Sequence, residues 1–172
     1  CCSDEHVNAM MKDAALAMHL AEHKVRTDSS IILCSAADVE GHYGFDGRVY
    51  LLDLARTFPP ESPQQCVHLP ESNTAIFYRL LRPEFLQLQK QQGKPSLSSD
   101  ALSAFSCKED ASQHSQAVHM ATAELIEKVI PRFAAEIEEA EQAVKAAADA
   151  QSLTDEPSLP VSAILHEPSS PV

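Results

Sequence analysis

The chain has 172 residues with 44% apolar content, enough for one compact domain with polar margins. Its net charge of −12 excludes a surface that binds phosphate backbones throughout, because that needs a local excess of Lys and Arg. Aromatic residues make up 5% and Trp is absent, so a core built from Leu, Ile, Val, Ala and Met favours helices over a large sandwich.

Taken in chain order, the first element reads as a helix over about residues 4–23. Val7, Met11, Ala14, Met18 and Ala21 recur at helical spacing, and Ser3 is the expected N-cap. His19 and His23, four apart on that helix, form a pair without a third metal ligand. Ile31-Ile32-Leu33-Cys34 reads as a short buried strand. Three of the four glycines follow within seven residues, as Gly41, Gly44 and Gly47. Asp46-Gly47, set between two apolar runs, predicts a hairpin over Gly41–Asp53 with a type I′ turn. Its second arm, Arg48 to Asp53, is apolar enough to expect cover on both faces.

Pro59 and Pro60 stop regular structure, and 59–70 reads as a loop. Helices are expected over 74–81 and 83–89, with Pro83 at a first helical position. Residues 91–99 read as a linker, and a short helix capped by Ser98 or Ser99 starts at Asp100. The longest helical pattern covers 111–150. Its stripe runs Val118, Ala121, Leu125, Val129, then Phe133, Ile137, Ala140 and Val144, with a kink or break at Pro131. Beyond residue 150, a Pro- and Ser-rich acidic tail without Lys or Arg predicts disorder.

Chemically suggestive residues gather around the predicted hairpin: Asp38, Glu40, His42, Asp46, Asp53 and Arg56. Asp38, Glu40 and His42 alternate, so an extended chain presents them on one face, as a metal site or an acid/base pair requires. The competing reading is architectural, and we favour it. The carboxylates order the turn, and Asp53 pairs with Arg56 or Arg48. A second cluster, Arg79, Arg82, Lys90 and Lys94 against the single acid Glu84, reads as a solvated basic face or as an RNA or partner contact. Five cysteines, at 1, 2, 34, 66 and 107, lack metal-ligand spacing and point to a reducing compartment. No apolar run approaches the roughly 18–20 residues that a membrane span needs. Nucleotide-binding glycine loops and hydrolase or zinc-protease motifs are absent from the sequence. The chain starts at Cys, as expected for a segment of a longer polypeptide.

The run DVEGHYGFDGRVYLLDLARTFPPE, residues 38–61, resembles the central block of the clustered-mitochondria (CLU) domain. Asp38, Glu40, Gly41, Gly44, Asp46, Gly47, Arg48, Asp53, Arg56, Pro59 and Pro60 carry that likeness. Tyr78-Arg79-Leu80-Leu81-Arg82-Pro83-Glu84-Phe85 and Glu124 to Phe133 are similar to later segments of the family. The resemblance implies a large cytoplasmic protein with tetratricopeptide repeats elsewhere, associated with mRNAs for mitochondrial proteins and with translation, and needed to distribute mitochondria.

The expected architecture is α+β, with a small antiparallel sheet carrying the Asp-Gly hairpin against several helices, then a long C-terminal helix and a disordered tail. A CLU-like domain spans 1–150, with its core at about 4–135 and a helical extension at 136–150, and the tail covers 151–172. The expected role is non-catalytic scaffolding or recognition. It involves no metal and no cofactor, and its partners are the parent protein's other domains and mRNA or translation machinery. The alternative is a likeness to the lower lobe of protein kinases, with Asp38 as base and Asp53 as metal ligand. That likeness lacks the Asn kinases place five residues after the base (here Tyr43), the glycine-rich loop and the ATP-contacting Lys.

Overall fold

A computed structural model describes residues 4–26, 28–66 and 75–154. The fold is α+β. Helix α1 (Glu5–Met18) leads into strands β1 (His23–Val25) and β2 (Asp28–Leu33), then β3 (Glu40–Tyr43) and β4 (Val49–Leu52). Helices α2 (Pro83–Gln91), α3 (Ala111–Glu124) and α4 (Ile130–Thr154) follow. The chain divides into two units, Cys1–Pro131 and Arg132–Val172.

Helix α1 is shorter at both ends than the periodicity predicts. Ser3 lies outside the described residues, and Asp4 is the N-cap, its carboxylate accepting from Val7 N–H at 2.9 Å. At the other end His19 turns left-handed, with φ 62°. The Leu20 N–H then reaches back to the Ala15 carbonyl at 2.8 Å, closing a Schellman motif whose two flanking side chains, Ala15 and Leu20, are both core residues. Only Gly adopts this conformation cheaply, so nothing in the sequence marks the stop. The chain that leaves the helix forms β1 with His23, which separates it from His19.

Strand β1 pairs antiparallel with β2, His23 opposite Leu33 and Lys24 opposite Ile32. The run 31–34 is therefore a hairpin arm, not a buried strand; Ile32 is exposed. The second hairpin pairs Glu40 with Leu52 and Tyr43 with Val49. Its turn differs from prediction. The Gly47 N–H donates to Gly44 O at 3.0 Å, and Gly44 N–H donates to Arg48 O at 2.7 Å. Only Gly47 in the turn has positive φ, at 76°. This is a three-residue loop ending in a glycine bulge rather than type I′, which needs positive φ at two residues. Cover on both faces is also not found. All four β3 residues are exposed, as are Tyr50, Leu51 and Leu52.

Pro59 and Pro60 are buried, and Pro60 bridges to Leu80. In place of a helix over 74–81, the described part shows a single 3-10 turn, Ala75–Phe77. Residues 67–74, the end of the expected loop and the start of that helix, lie outside the described residues. Helix α2 begins with Pro83 at its first turn, as its fixed φ allows. The Lys90 ammonium and the Gln87 amide each donate at 2.9 Å to carbonyls at the end of α1, Leu16 and Ala17 respectively. They satisfy acceptors that a helix terminus leaves open.

Residues 97–101 are not a surface linker. Leu97, Ser98, Ser99, Asp100 and Ala101 are all buried, and Leu97 bridges to Leu20. No helix starts at Asp100. Successive turns replace it, interrupted by Leu102 at φ 63°. The core joins Ala15, Leu20, Leu81, Phe85, Leu86, Leu97, Ala101, Val118 and Ala121. Full burial of side chains such as Leu86 and Val118 contributes about 1.5–3 kcal/mol each.

The long helical run is interrupted just before Pro131, which stands in the first turn of α4. A π-helical turn, Leu125–Val129, sits between α3 and α4. That wider turn makes room for the ring and for the carbonyl that proline's missing N–H leaves unpaired. Helix α4 runs to Thr154, beyond the expected start of the tail, and 155–172 lie outside the described residues.

Candidate functional site

The strongest concentration of charge in the interior centres on Arg56. A 3-10 turn, Leu54–Arg56, carries it, and its side chain is only 7% exposed. Its Nε and Nη2 donate to the two oxygens of Asp38 at 2.8 and 2.7 Å, the bidentate geometry that guanidinium and carboxylate share. Nη1 donates to Asp100 Oδ1 at 3.1 Å. The guanidinium carbon also lies 5.5 Å from the Phe77 ring centre and 4.9 Å from that of Phe105.

Asp100 is fully buried and spends both oxygens. Oδ2 accepts from Ala37 N–H at 2.9 Å and lies 2.9 Å from His23 Nε2. Asp38 stands in the turn 36–39, closed by Val39 N–H on Ala36 O at 3.1 Å. The network therefore ties the first hairpin, the turn before the second, the turn after it and the 98–103 turns to one cation. The hydrogen bonds from Arg56 hold the Asp38 carboxyl below its usual range, against the opposing effect of partial burial. Burial works against the Arg56 charge, but Asp38 and Asp100 together outweigh it and raise its pKa.

A second polar layer lies behind His23. Its ring is edge-on to His114 at 6.3 Å between centres, and His114 Nε2 stands 3.7 Å from Asp110 Oδ2. Burial lowers the His114 pKa, the Asp110 charge opposes that shift, and His23 adds to it. His23 Nδ1 and Asp110 Oδ1 are buried without a hydrogen-bond partner. Among the described residues no three His, Cys, Asp or Glu side chains are grouped as a metal ion requires.

The residues singled out from sequence divide between these surroundings and the surface. Asp38, Glu40 and His42 do not share one site. Asp38 precedes β3 and turns to Arg56, whereas His42 Nε2 and Glu40 form an exposed pair at 3.0 Å on the strand. Asp53 does not pair with Arg56 or Arg48. It is exposed, with φ 59°, and makes no side-chain cap to the turn it precedes. Asp46 accepts from the Tyr50 hydroxyl at 2.8 Å and from Arg48 N–H at 3.1 Å, and these bonds lower its pKa. A Cβ at Gly44 would lie 2.6 Å from both the Asp46 carboxylate and the Tyr50 ring, so a side chain there would push that hydrogen-bonded pair aside.

The four basic residues are also dispersed in role. Lys90 holds the end of α1, and Lys94 pairs with Glu124, itself bonded to Gln89. Arg79 is half-buried, and Arg82 is exposed beside Glu84 at 3.7 Å. Sequence reasoning missed Asp100 as a partner of Arg56, and His23 as the partner of Asp100. Asp100 is the only acidic residue between Glu84 and Glu109, but no local pattern links it to Arg56.

An open groove of about 940 Å³ lies between α1 and the two hairpins, lined by Val7, Met11, Ile31, Leu33, Val39 and Phe105. The adjacent hairpin presents exposed Tyr43, Phe45, Tyr50 and Leu52. No described helix is long and apolar enough to cross a membrane.

Comparison with known proteins places these residues. A family model described as clustered mitochondria matches residues 1–63. The segments 78–85 and 124–133 lie beyond that match. A clustered mitochondria protein homolog of Danio rerio is 56% identical over 34 residues, covering 20% of this chain and 2% of that protein. Protein clueless of Drosophila persimilis is 39% identical over 54 residues, 30% of this chain and 4% of its own length. A clustered mitochondria protein homolog of Xenopus tropicalis is 37% identical over 72 residues, 39% of this chain and 6% of that protein. The matches thus span a small fraction of each of these relatives. No solved structure matches the chain. Residues 1–63, which contain the Asp38–Arg56 pair and the Asp-Gly hairpin, are thus the part of the chain that is similar to the clustered-mitochondria family.

Proposed function

We propose that this chain is a non-catalytic recognition or scaffolding module of a larger cytoplasmic clustered-mitochondria protein, acting in the distribution of mitochondria. Its parent's association with mRNA and translation is part of the same reading. The observation that carries it is the engagement of Arg56, Asp38 and Asp100 with one another. A base or metal ligand needs an oxygen open to substrate, and these carboxylates spend theirs on a buried guanidinium and backbone. The groove beside α1 and the exposed apolar hairpin supply surface for a partner domain. The family name of the relatives supports the mitochondrial role.

The test uses the parent protein in cells. Asp53→Asn should leave mitochondria normally dispersed, while Arg56→Met should cluster them in proportion to lost protein. Clustering by Asp53→Asn at undiminished protein level would overturn the non-catalytic reading.

A further inference from the structure

Within the second unit, every residue from Arg132 to Gln151 is exposed. Its large apolar residues nevertheless fall, with two alanines, on one stripe. Phe133, Ile137, Ala140, Val144 and Ala147 follow one another at spacings of four, three, four and three, the repeat of a seam that meets another helix. Phe133 is 60% exposed, Ile137 43% and Val144 71%, and a shallow hollow runs along Ile137, Ala140 and Val144. A helix alone in water gains nothing by this order.

The charges beside the seam select what can cover it. Glu136 and Glu141 border Ile137 and Ala140 directly, Glu138 and Glu139 stand just outside them, and against these four acids Lys145 is the one cation that lines the hollow. In parallel self-pairing, Glu136 of one helix meets Glu141 of the other on both borders. Antiparallel pairing that matches Phe133 with Val144 and Ile137 with Ala140 stacks the acidic stretch 136–141 on itself. A second copy is therefore a poor occupant. Arg132 reaches Glu136 at 3.3 Å, but both are about 60% exposed and the pair is easily exchanged.

We propose that this face docks one amphipathic helix whose apolar stripe is bordered by Arg or Lys. The occupant's apolar residues fill the spaces beside Ala140 and Ala147, and its cations meet Glu136 and Glu141. From Ala143 onward the seam's borders are mostly alanine, at Ala143, Ala148 and Ala150, so the two backbones approach closely there. The inference concerns this face alone and stands whether or not the parent acts on mitochondria.

Two synthetic helical peptides with one apolar stripe, bordered by Lys and Arg or by Glu, are titrated against the full chain by calorimetry. The basic peptide should bind, and its acidic twin should not. Glu136, Glu138, Glu139 and Glu141 all changed to Gln should weaken binding about tenfold or more and remove its salt dependence. Ile137→Ala with Val144→Ala keeps helix propensity, so circular dichroism should be unchanged while binding is lost. Equal binding of both peptides, binding of neither, or undiminished binding by the alanine variant overturns the proposal. So does sedimentation showing a dimer that the alanine variant dissolves, because a second copy then covers the face.

Discussion

Replacing Arg56 by Met tests whether the buried ion network holds the first unit together. Methionine keeps much of the aliphatic volume between Phe77 and Phe105 but removes the charge. Asp38, 30% exposed, can turn to water and loses little. Asp100, at 1% exposure, cannot. It keeps only Ala37 N–H and His23, and its charge is left buried beside an apolar chain. Breaking a buried pair from one side costs about 3–5 kcal/mol. For a unit of this size that lowers Tm by roughly 10–20 °C. Urea unfolding followed by circular dichroism reads the loss, and Asp100→Asn in the same background should recover about 2 kcal/mol of it by removing the stranded charge. An Arg56→Met cost below about 1 kcal/mol, the value of an exposed pair, would refute the reasoning.

Acid should destabilise the chain in two phases. The folded pKa of His114 is lowered, so the unfolded chain takes the proton first, and stability falls as pH drops below about 6.5 toward the folded value. His114→Phe should abolish that upper phase in a pH series of melts. The lowered carboxyls of Asp38 and Glu124 contribute stability that is present above about pH 4 and lost as pH falls through their folded values. Gly47→Ala, at φ 76° with open space around it, should cost about 1 kcal/mol from backbone strain alone in the same unfolding assay. If the four basic residues contact RNA, affinity should fall steeply with salt and drop when Arg79, Arg82, Lys90 and Lys94 become Ala. Unchanged affinity in a filter-binding assay would exclude them.

What could be read from sequence follows the physics of each element. The second hairpin was legible because a left-handed turn position calls for Gly, and Gly47 stands there. Helix α2 announced itself through Pro83, and α3 through Val118 and Ala121. The end of α1 was hidden because His19 adopts the left-handed conformation without being Gly, as Leu102 does where a helix was expected. Those conformations follow from tertiary packing, with Leu20 and Leu97 bridged beneath the first of them. Periodicity identified the apolar arm Val49–Leu52 but could not show that β3–β4 lacks cover in this chain.

The site was half legible. Local spacing raised Asp38 and Arg56 as residues of interest, eighteen apart, and favoured an architectural role for them. It paired Arg56 with the nearby Asp53, whereas the fold supplies Asp100 from forty-four residues away. Contacts of that separation leave no periodic trace. The basic stretch 79–94 has the same limit, since Lys90 and Lys94 are turned toward α1 and Glu124 by the packing of α2 and the turn after it.

The central claim, that these charged residues hold a module together and do not perform phosphotransfer, is met most directly by calorimetry of the chain with ATP and Mg²⁺. The account predicts no saturable heat. Micromolar binding that disappears on Asp53→Asn would contradict it.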